Sequence, residues 1–170
     1  MNLLECYHAF LTISRKEISR VLRIWAQTIL PPLVTYTLYF IVFGNLIGSQ
    51  IRPISGFSYL EYITPGLAMM SIISNSYMNV CSSFFGNKFQ KSVEELMVSP
   101  TPNSVIIIGY CFGGVMRGLT TGTLVIAVSS LFTEVHIFHS FSLISFALLT
   151  SIFFSLAGLT NALYAKKFDD

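Results

Sequence analysis

Long apolar runs separated by short polar segments organise this chain. The runs cover residues 29–47, 62–85, 105–132 and 141–164. Each is close to the roughly 20 residues that a helix needs to cross a bilayer. The pattern therefore predicts an all-α polytopic membrane protein, a single transmembrane domain over residues 1–170 with four transmembrane spans.

The first 25 residues have a different pattern, in which apolar and polar positions follow the period of a helix. One stripe carries Leu3, Leu4, Tyr7, Phe10, Leu11, Ile18, Val21, Leu22 and Trp25. Charged and hydroxyl side chains, among them Arg15 and Arg23, fall on the other side. Such a basic amphipathic helix is typical of the membrane interface, with a tryptophan at headgroup level. We therefore expect residues 1–25 to lie in the interface plane and to turn into the first span at Pro31 and Pro32, which the first turn of a helix tolerates.

Residues 86–104, GNKFQKSVEELMVSPTPNS, form a polar segment between the second and third spans. Good helix formers from Lys88 to Val98 predict a helix of about three turns, which Pro100 and Pro102 end. Its apolar residues at helical spacing are Phe89, Val93, Leu96 and Met97, and Lys88, Lys91, Glu94 and Glu95 fall on other faces. The pattern predicts an amphipathic helix between two spans.

Polar side chains inside the second span share one helical face. Ser71, Asn75, Asn79 and Ser82 follow one another at offsets of zero, four, eight and eleven residues. Hydrocarbon would leave their amide and hydroxyl groups unpaired, so this face must meet another helix or an aqueous path. The sequence leaves open whether the face is a packing interface or a translocation path.

The third span combines small residues with one charge. Gly114, Gly118 and Gly122 make a ridge of small residues that lets another helix approach closely. Arg117 lies within the same span, where a charge is costly and is by default a functional candidate. An equally open alternative is that Arg117 pairs with a carbonyl or carboxylate and serves only the assembly of the helices. In the fourth span, Asn161 lies on another small or polar face.

Composition supports the membrane class and argues against others. The 170 residues are 53% hydrophobic and 11% charged, with a mean hydropathy of +0.67, whereas a soluble domain is about 45–50% apolar and 25% charged. The net charge of +2 is too small to indicate a nucleic-acid partner. Three separate cysteines favour buried thiols over a disulfide framework. Glu134, His136 and His139 are a weak candidate for a metal site, and ordinary interfacial histidines are favoured.

Basic residues predict the orientation of the spans. The four-span arrangement leaves Arg52 alone on one side and Arg117 within the membrane. The other side receives Arg15, Lys16, Arg20, Arg23, Lys88, Lys91, Lys166 and Lys167. By the positive-inside rule, both termini and the 86–104 segment are cytoplasmic.

No pattern in the sequence indicates catalysis. The serines lack a convergent histidine and carboxylate, and the sequence contains neither a His-Glu-x-x-His nor a Walker lysine motif. We therefore expect no catalytic residue and no resident metal, so that active transport must draw on a partner or on ion coupling. An ion-coupled carrier is disfavoured because the predicted spans contain no carboxylate. A non-transporting membrane scaffold or assembly protein is the alternative.

Four segments in order resemble the membrane subunit of ABC type-2 transporter permeases. They are the N-terminal amphipathic helix, WAQTILPPLVTYTLYFIVFGNLIG at 25–48, ITPGLAMM at 63–70 and FQKSVEELMVSPTP at 89–102. The resemblance covers essentially the whole chain, and the last segment is its most specific part. It implies an exporter subunit of the bacterial inner membrane, with an N-terminal connecting helix and a coupling helix in the 86–104 segment that docks on a separate cytoplasmic ATPase. ATP and Mg²⁺ would bind to that partner and not directly to this chain.

The same resemblance assigns candidate contacts with the ATPase. They are Phe89, Lys91, Glu94, Glu95, Leu96, Met97 and Pro100. We expect the apolar side chains to anchor the loop and the two glutamates to meet basic residues of the partner. The alternative for this short helix is that it rests on lipid headgroups.

The chain also departs from the family pattern. Permeases of this family typically have six spans, whereas the sequence predicts four. We therefore expect an incomplete six-span fold, through truncation, decay or fragmentary expression, which could bind an ATPase and still transport nothing. The resemblance implies a homodimer, which the glycine ridge supports only indirectly because it could equally pack within one subunit. The sequence does not indicate the transported substrate.

Overall fold

The computed structural model describes residues 3–44, 48, 56–133 and 139–167. The helices in these residues are α1 (Leu3–Arg23), α2 (Trp25–Val42), α3 (Tyr59–Phe89), α4 (Ser92–Val98), α5 (Asn103–Ser129) and α6 (Ser140–Tyr164). The prediction of an all-α fold is confirmed. The bounds of several helices differ from those that the apolar runs predict.

α1 and α2 follow one another with a single intervening residue. Ile24 has φ −106° and ψ 30°, and its amide still donates to the Arg20 carbonyl at 3.2 Å. We expected the chain to turn at Pro31 and Pro32, but both prolines lie inside α2. The helix break is therefore at Ile24, and α2 begins six residues before the first proline. The end of the predicted first span, at Ile47, lies outside the described residues.

α3 is longer than the predicted span at 62–85. It begins with a capping box, in which the Glu61 amide donates to Ser58 Oγ at 3.3 Å and the Ser58 amide donates to Glu61 Oε2 at 2.7 Å. These reciprocal bonds satisfy two amides near the start of the helix. At its other end the helix continues through Gly86 to Phe89. The first residues of the predicted polar loop therefore belong to α3.

The predicted helix at residues 88–98 is divided in the structure. Lys91, the N-cap residue of α4, has a left-handed backbone with φ 60° and ψ 7°, which residues with a Cβ rarely adopt because of steric clash. α4 then runs for only seven residues, and Ser99 leaves the helical region ahead of Pro100. The helix in the loop therefore has two turns, not three.

α3, α5 and α6 form the centre of the molecule. α5 runs antiparallel to α3, because Gly114 faces Ser76 whereas Gly122, further along α5, faces the earlier residue Ile72. α6 runs parallel to α3, with Gly158 close to the Tyr77 backbone and the end of α6 close to the end of α3. The ends of α3 and α6 and the start of α5 therefore meet at the same end of the bundle as α4.

α1 and α2 lie along α5 in the same direction. Ile13 packs against Gly109 near the start of α5, and the Phe40 ring stacks on Phe132 just beyond its end, with 5.8 Å between ring centroids. α1 therefore accompanies the first half of α5 and α2 the second half. That α1 lies in the plane of a membrane interface stays a prediction.

α5 and α6 are long and apolar enough to cross a membrane, as judged by length and composition alone. They overlap the predicted third and fourth spans. The other helices in the described residues do not reach the same hydropathy over the same length, so the first and second spans stay predictions. α3 falls short because serines and asparagines interrupt its apolar residues.

α6 has the distribution of exposure that a lipid-facing helix needs. Phe146, Leu149 and Phe153 are 65%, 66% and 67% exposed, whereas Ser151 and Ser155 are fully buried. A soluble protein would bury the large apolar side chains and expose the hydroxyls. This reversal suits a hydrocarbon surrounding, in which polar groups turn toward other helices.

Candidate functional site: the loop helix and the polar cluster behind it

α4 and the residues flanking it present acidic and apolar side chains at one end of the bundle. The exposed residues among the predicted ATPase contacts are Phe89, Lys91, Glu94, Glu95, Met97 and Pro100. Phe89 and Met97 are 72% and 71% exposed, which is high for such large apolar side chains. They form with the two glutamates an exposed surface, here called the loop surface.

Leu96 lies apart from the loop surface. Together with Val93 it is half-buried and packs against the hydrophobic cluster at the ends of α3, α5 and α6. That cluster includes Phe84, Phe85 and Ile106. Leu96, which we predicted as an anchor for the ATPase, thus holds α4 on the bundle within this chain. α4 is attached through one face and exposed on the other.

A hydrogen-bonded junction ties the end of α3 to α1 and α5. Asn87 Nδ2 donates to the Tyr110 hydroxyl at 2.8 Å, and Lys16 Nζ donates to Asn87 Oδ1 at 3.2 Å. Ser92 Oγ, in α4, donates to the Asn87 carbonyl at 3.3 Å. Tyr110 is only 2% exposed, so the junction rests on a buried side chain of α5. Residues of four helices thus meet around Asn87.

Lys88 connects the same region to α6. Its Nζ donates to the carbonyls of Leu163 and Ala165, both at 2.8 Å. Carbonyls in the last turn of a helix lack helical amide partners, and a cation there also interacts favourably with the helix dipole. Lys88 therefore caps α6 from α3, next to α4.

Further along α3, a buried polar cluster joins α1, α3 and α5. Glu17 is 1% exposed, and it accepts hydrogen bonds from Ser83 Oγ at 2.7 Å and from Arg20 Nη2 at 3.2 Å. Arg20 Nη2 also donates to Asn79 Oδ1 at 2.8 Å. Arg117 Nη1 lies 3.5 Å from the same Asn79 oxygen, a long contact for a hydrogen bond. The Glu17 carboxylate thus pairs with the Arg20 guanidinium, whereas Arg117 reaches the cluster only through Asn79.

Glycines of α5 make room for the α1 side of this cluster. An ideal Cβ at Gly113 would lie 2.7 Å from Glu17 Cβ, and one at Gly109 would lie 2.6 Å from Ile13 Cγ2. Both distances are far below van der Waals contact, so larger residues would push α1 away. Gly113 therefore permits the burial of Glu17 against α5.

The polar face predicted on α3 is only partly buried. Ser71 and Asn79 are fully buried, and Asn79 is the centre of the cluster. Asn75 Nδ2 donates to the Ser71 carbonyl at 3.0 Å, and the exposed Ser82 donates through Oγ to the Asn79 carbonyl at 3.2 Å. The structure therefore places Asn79 between helices. A translocation path along this face stays a prediction.

The ridge of Gly114, Gly118 and Gly122 faces α3 of the same chain. Ser76 packs against the first two of these glycines and Ile72 against the last two. A Cβ at Gly118 would overlap Ser76 Oγ. The ridge is thus covered within the subunit and lends no support to a dimer interface.

Other predicted positions have simpler surroundings. Asn161 Nδ2 donates to the Tyr77 hydroxyl at 2.7 Å and so helps to join α6 to α3. Cys111 is buried, and the two other cysteines are half-buried. Among the described residues, no group of three or more side chains is placed to hold a metal ion, and Glu134 and His136 lie outside those residues.

The sequence patterns did not single out Glu17 or Lys88. Glu17 has a weak local signal, because it precedes Arg20 by three residues and such pairs share a helix face. Lys88 has none, since its partners are backbone carbonyls about 75 residues further along the chain. Both residues acquire their roles through helix packing.

A helical bundle with exposed apolar faces and a polar loop at one end defines an integral membrane protein of the α-helical class. The profile of the family described as ABC-2 type transporter matches residues 8–170. The chain therefore belongs to the ABC-2 type transporter family, a family of transport proteins and not of enzymes.

Curated proteins similar to this chain are named as inner membrane transport permeases. The inner membrane transport permease YadH of Escherichia coli K12 is 56% identical over 163 residues, which are 95% of this chain and 63% of that protein. YadH of Shigella flexneri has the same identity and coverage. The chain thus spans about 63% of the length of the curated relatives it matches. No solved structure matches this chain.

Proposed function

We propose that the chain is part of the membrane permease subunit of an ATP-binding-cassette exporter in the bacterial inner membrane. In this proposal α4 is the coupling helix, and its exposed side docks on a separate cytoplasmic ATPase that binds ATP and Mg²⁺. Both termini lie in the cytoplasm, and the permease works as a homodimer. The observation that carries the proposal is the loop surface, which is exposed although the segment bearing it is tied into the bundle through Asn87 and Lys88 of α3 and Leu96 of α4.

The attachments of α4 suit the transmission of force. Lys88 links the segment to α6, and Asn87 links it to α1 and α5. Leu96 packs into the hydrophobic cluster below. A push on α4 would therefore move the ends of these helices as one body, because packed interfaces switch between arrangements more readily than they deform. Closure of an ATPase dimer around nucleotide would supply that push.

The loop surface also suits a protein partner. Buried apolar anchors contribute most of the affinity at interfaces, and charges at the rim mainly affect association and specificity. Met97 and Phe89 are the exposed apolar candidates for such anchors. Glu94 and Glu95 favour a partner with basic residues around the docking site. Leu96 is not used to test docking. It packs against the hydrophobic cluster, so its substitution would disturb the fold as well as the contact with the ATPase.

The test is to search the neighbouring reading frames for an ABC-type ATPase and to co-purify that protein with this chain. We expect Met97→Asp and the double variant Glu94→Lys with Glu95→Lys to lower recovery of the ATPase at least several-fold. Leu131→Asp is the matched control for Met97→Asp, because Leu131 is 81% exposed at the opposite end of the bundle. This control should bind the ATPase as the wild type does.

Unchanged recovery with both loop variants would refute docking through α4. If no ATPase is encoded nearby and none co-purifies, a non-transporting scaffold becomes the better interpretation of the chain. Coupling is read separately, as stimulation of ATP hydrolysis by the ATPase when the permease is reconstituted with it.

A further inference from the structure

The carboxamide of Asn87, near the end of α3, contacts three other helices through its two ends. Its Nδ2 donates to the Tyr110 hydroxyl of α5 at 2.8 Å. Its Oδ1 accepts from Lys16 Nζ of α1 at 3.2 Å and lies 3.4 Å from Ser92 Oγ of α4. An amide side chain can donate at one end and accept at the other. The donor of Asn87 therefore serves α5, and its acceptor serves α1 and α4.

The partners of Asn87 lie at positions that suit a link between helices. Tyr110 is buried, and its ring meets the Phe84 ring edge to face, with 5.4 Å between the centroids. Because that ring is packed, its hydroxyl holds a defined position on α5. Ser92 is the first residue of α4, and its hydroxyl also donates to the Asn87 carbonyl at 3.3 Å. A movement at the start of α4 therefore reaches Asn87 directly.

The other attachments of α4 are of a different kind. Val93 and Leu96 pack against the hydrophobic cluster, and such apolar contacts are non-directional. Hydrogen bonds weaken steeply when the donor angle changes, so they fix an orientation as well as a distance. Leu96 therefore keeps α4 on the bundle, whereas Asn87 determines how a movement of α4 is passed to α1 and α5.

We propose that Asn87 is a positioning residue, which transmits movement of α4 to α1 and α5 when an ATPase acts on the loop surface. This inference rests on the proposed function and adds a separate role to it. The loop surface binds the ATPase, and the Asn87 carboxamide behind it couples that binding to the transmembrane helices. Loss of the carboxamide should therefore leave docking intact and impair coupling.

The test compares binding with coupling in one preparation. Asn87→Leu removes the donor and the acceptor while keeping a side chain of similar size. Recovery of the ATPase by co-purification and stimulation of its ATP hydrolysis are measured on the same permease, reconstituted in lipid bilayers. We expect recovery as in the wild type. Stimulation should fall roughly fivefold, the factor to which the net contribution of one hydrogen bond corresponds.

Two further variants separate coupling from a merely structural role. Asn75→Leu is the matched control, because Asn75 is half-buried like Asn87, lies on the same helix, and donates to the Ser71 carbonyl of that helix. It should keep both recovery and stimulation. Asn87→Asp should keep most of the stimulation, because a carboxylate accepts from Lys16 and the Tyr110 hydroxyl can rotate to donate to it.

Tyr110→Phe tests the same hydrogen bond from the side of α5. It removes the hydroxyl and keeps the ring that packs on Phe84. Stimulation should fall with this variant while recovery of the ATPase is kept. The double variant of Asn87→Leu with Tyr110→Phe should lose no more stimulation than Asn87→Leu alone, because changes that break one shared interaction are not additive.

Wild-type stimulation in Asn87→Leu, with the ATPase still bound, would overturn the inference and leave the proposed function standing. A wild-type permease that neither binds nor stimulates the ATPase would overturn both. Equal falls in recovery and stimulation would show that Asn87 only maintains the fold, and would also overturn the inference. If Asn87→Leu fails to fold, Tyr110→Phe decides the question by the same two measurements.

Discussion

Glu17 is a buried carboxylate at the centre of the contact between α1 and α3. It is almost fully buried, carries a formal negative charge and contacts Ser83 and Arg20. Burial of a charge is costly unless the charge is paired and hydrogen-bonded, and both conditions are met here. Its carboxylate also moderates the repulsion between Arg20 and Arg117, which share Asn79 as a neighbour. One residue thus holds three helices in register.

Glu17→Gln should destabilise the protein by about 3 kcal/mol, because removal of one partner from a buried ion pair leaves the other charge uncompensated. Thermal or denaturant unfolding in detergent, followed by circular dichroism, measures the loss. Glu94→Gln is the control, since exposed positions change stability by only about 0.5 kcal/mol. Equal stability of the two variants would show that the cluster does not hold the helices together.

Close helix contacts through glycine determine how the central helices pack. At Gly158 the neighbour is backbone, since an ideal Cβ would lie 2.5 Å from the Tyr77 carbonyl oxygen and 3.2 Å from its carbon. Backbone atoms cannot rotate away as a side chain can. The packing of α6 on α3 therefore depends on the absence of a side chain at this position.

Gly158→Ala should lower stability by about 1–3 kcal/mol through overpacking. Gly66→Ala is a control within α3, because nothing lies within 4 Å of an ideal Cβ there. That variant should be neutral or more stable by up to about 1 kcal/mol, owing to the better helix propensity of alanine. Unfolding curves of both variants in one detergent test the difference, and a neutral result for Gly158→Ala would mean that the two helices separate at no cost.

The end of α6 depends on a side chain from another helix. Lys88→Met should remove the hydrogen bonds to the Leu163 and Ala165 carbonyls while keeping the apolar stem. Amide exchange in the last turn of α6 should then rise about tenfold, which corresponds to roughly 1.4 kcal/mol of local opening free energy. Hydrogen exchange with mass spectrometry measures this effect. Lys91→Met, at an exposed lysine three residues later, should leave α6 unchanged.

The two ends of the bundle differ in composition. α4 and the ends of α3 and α6 lie together with most of the basic residues, whereas Ser58 Oγ and Thr133 Oγ1, 3.5 Å apart, lie at the opposite end. This separation agrees with the orientation that the positive-inside rule predicts. It also allows a direct test of the topology.

The three native cysteines are first replaced by serine, and Glu94→Cys and Leu131→Cys are then made separately in that background. The two introduced cysteines should react with a label from opposite sides of the inner membrane. A membrane-impermeant maleimide should reach Leu131→Cys in intact spheroplasts and Glu94→Cys only after permeabilisation. Both positions are exposed, so access through the membrane decides the outcome. Labelling of both cysteines in intact spheroplasts would contradict the predicted topology.

The sequence by itself determined the class of this protein. Apolar runs of about 20 residues, an all-α architecture and the motif around Glu94 and Glu95 are local properties of the chain, and the family match confirms the resemblance they suggested. Four spans and a coupling helix remain predictions from that pattern. Helix bounds were less accurate, because the capping box at Ser58 and the left-handed backbone at Lys91 depend on particular hydrogen bonds and local geometry.

Only the tertiary structure decided which residues meet. The bond from Ser83 to Glu17 joins residues 66 positions apart, and the bond from Lys88 to Leu163 joins residues 75 apart. Helical periodicity indicates that a face is apolar or polar, but the rotation of each helix against its neighbours depends on packing. That rotation turned Leu96 toward the bundle, covered the Gly118 ridge with α3 of the same chain and placed the Asn87 side chain between α1 and α5.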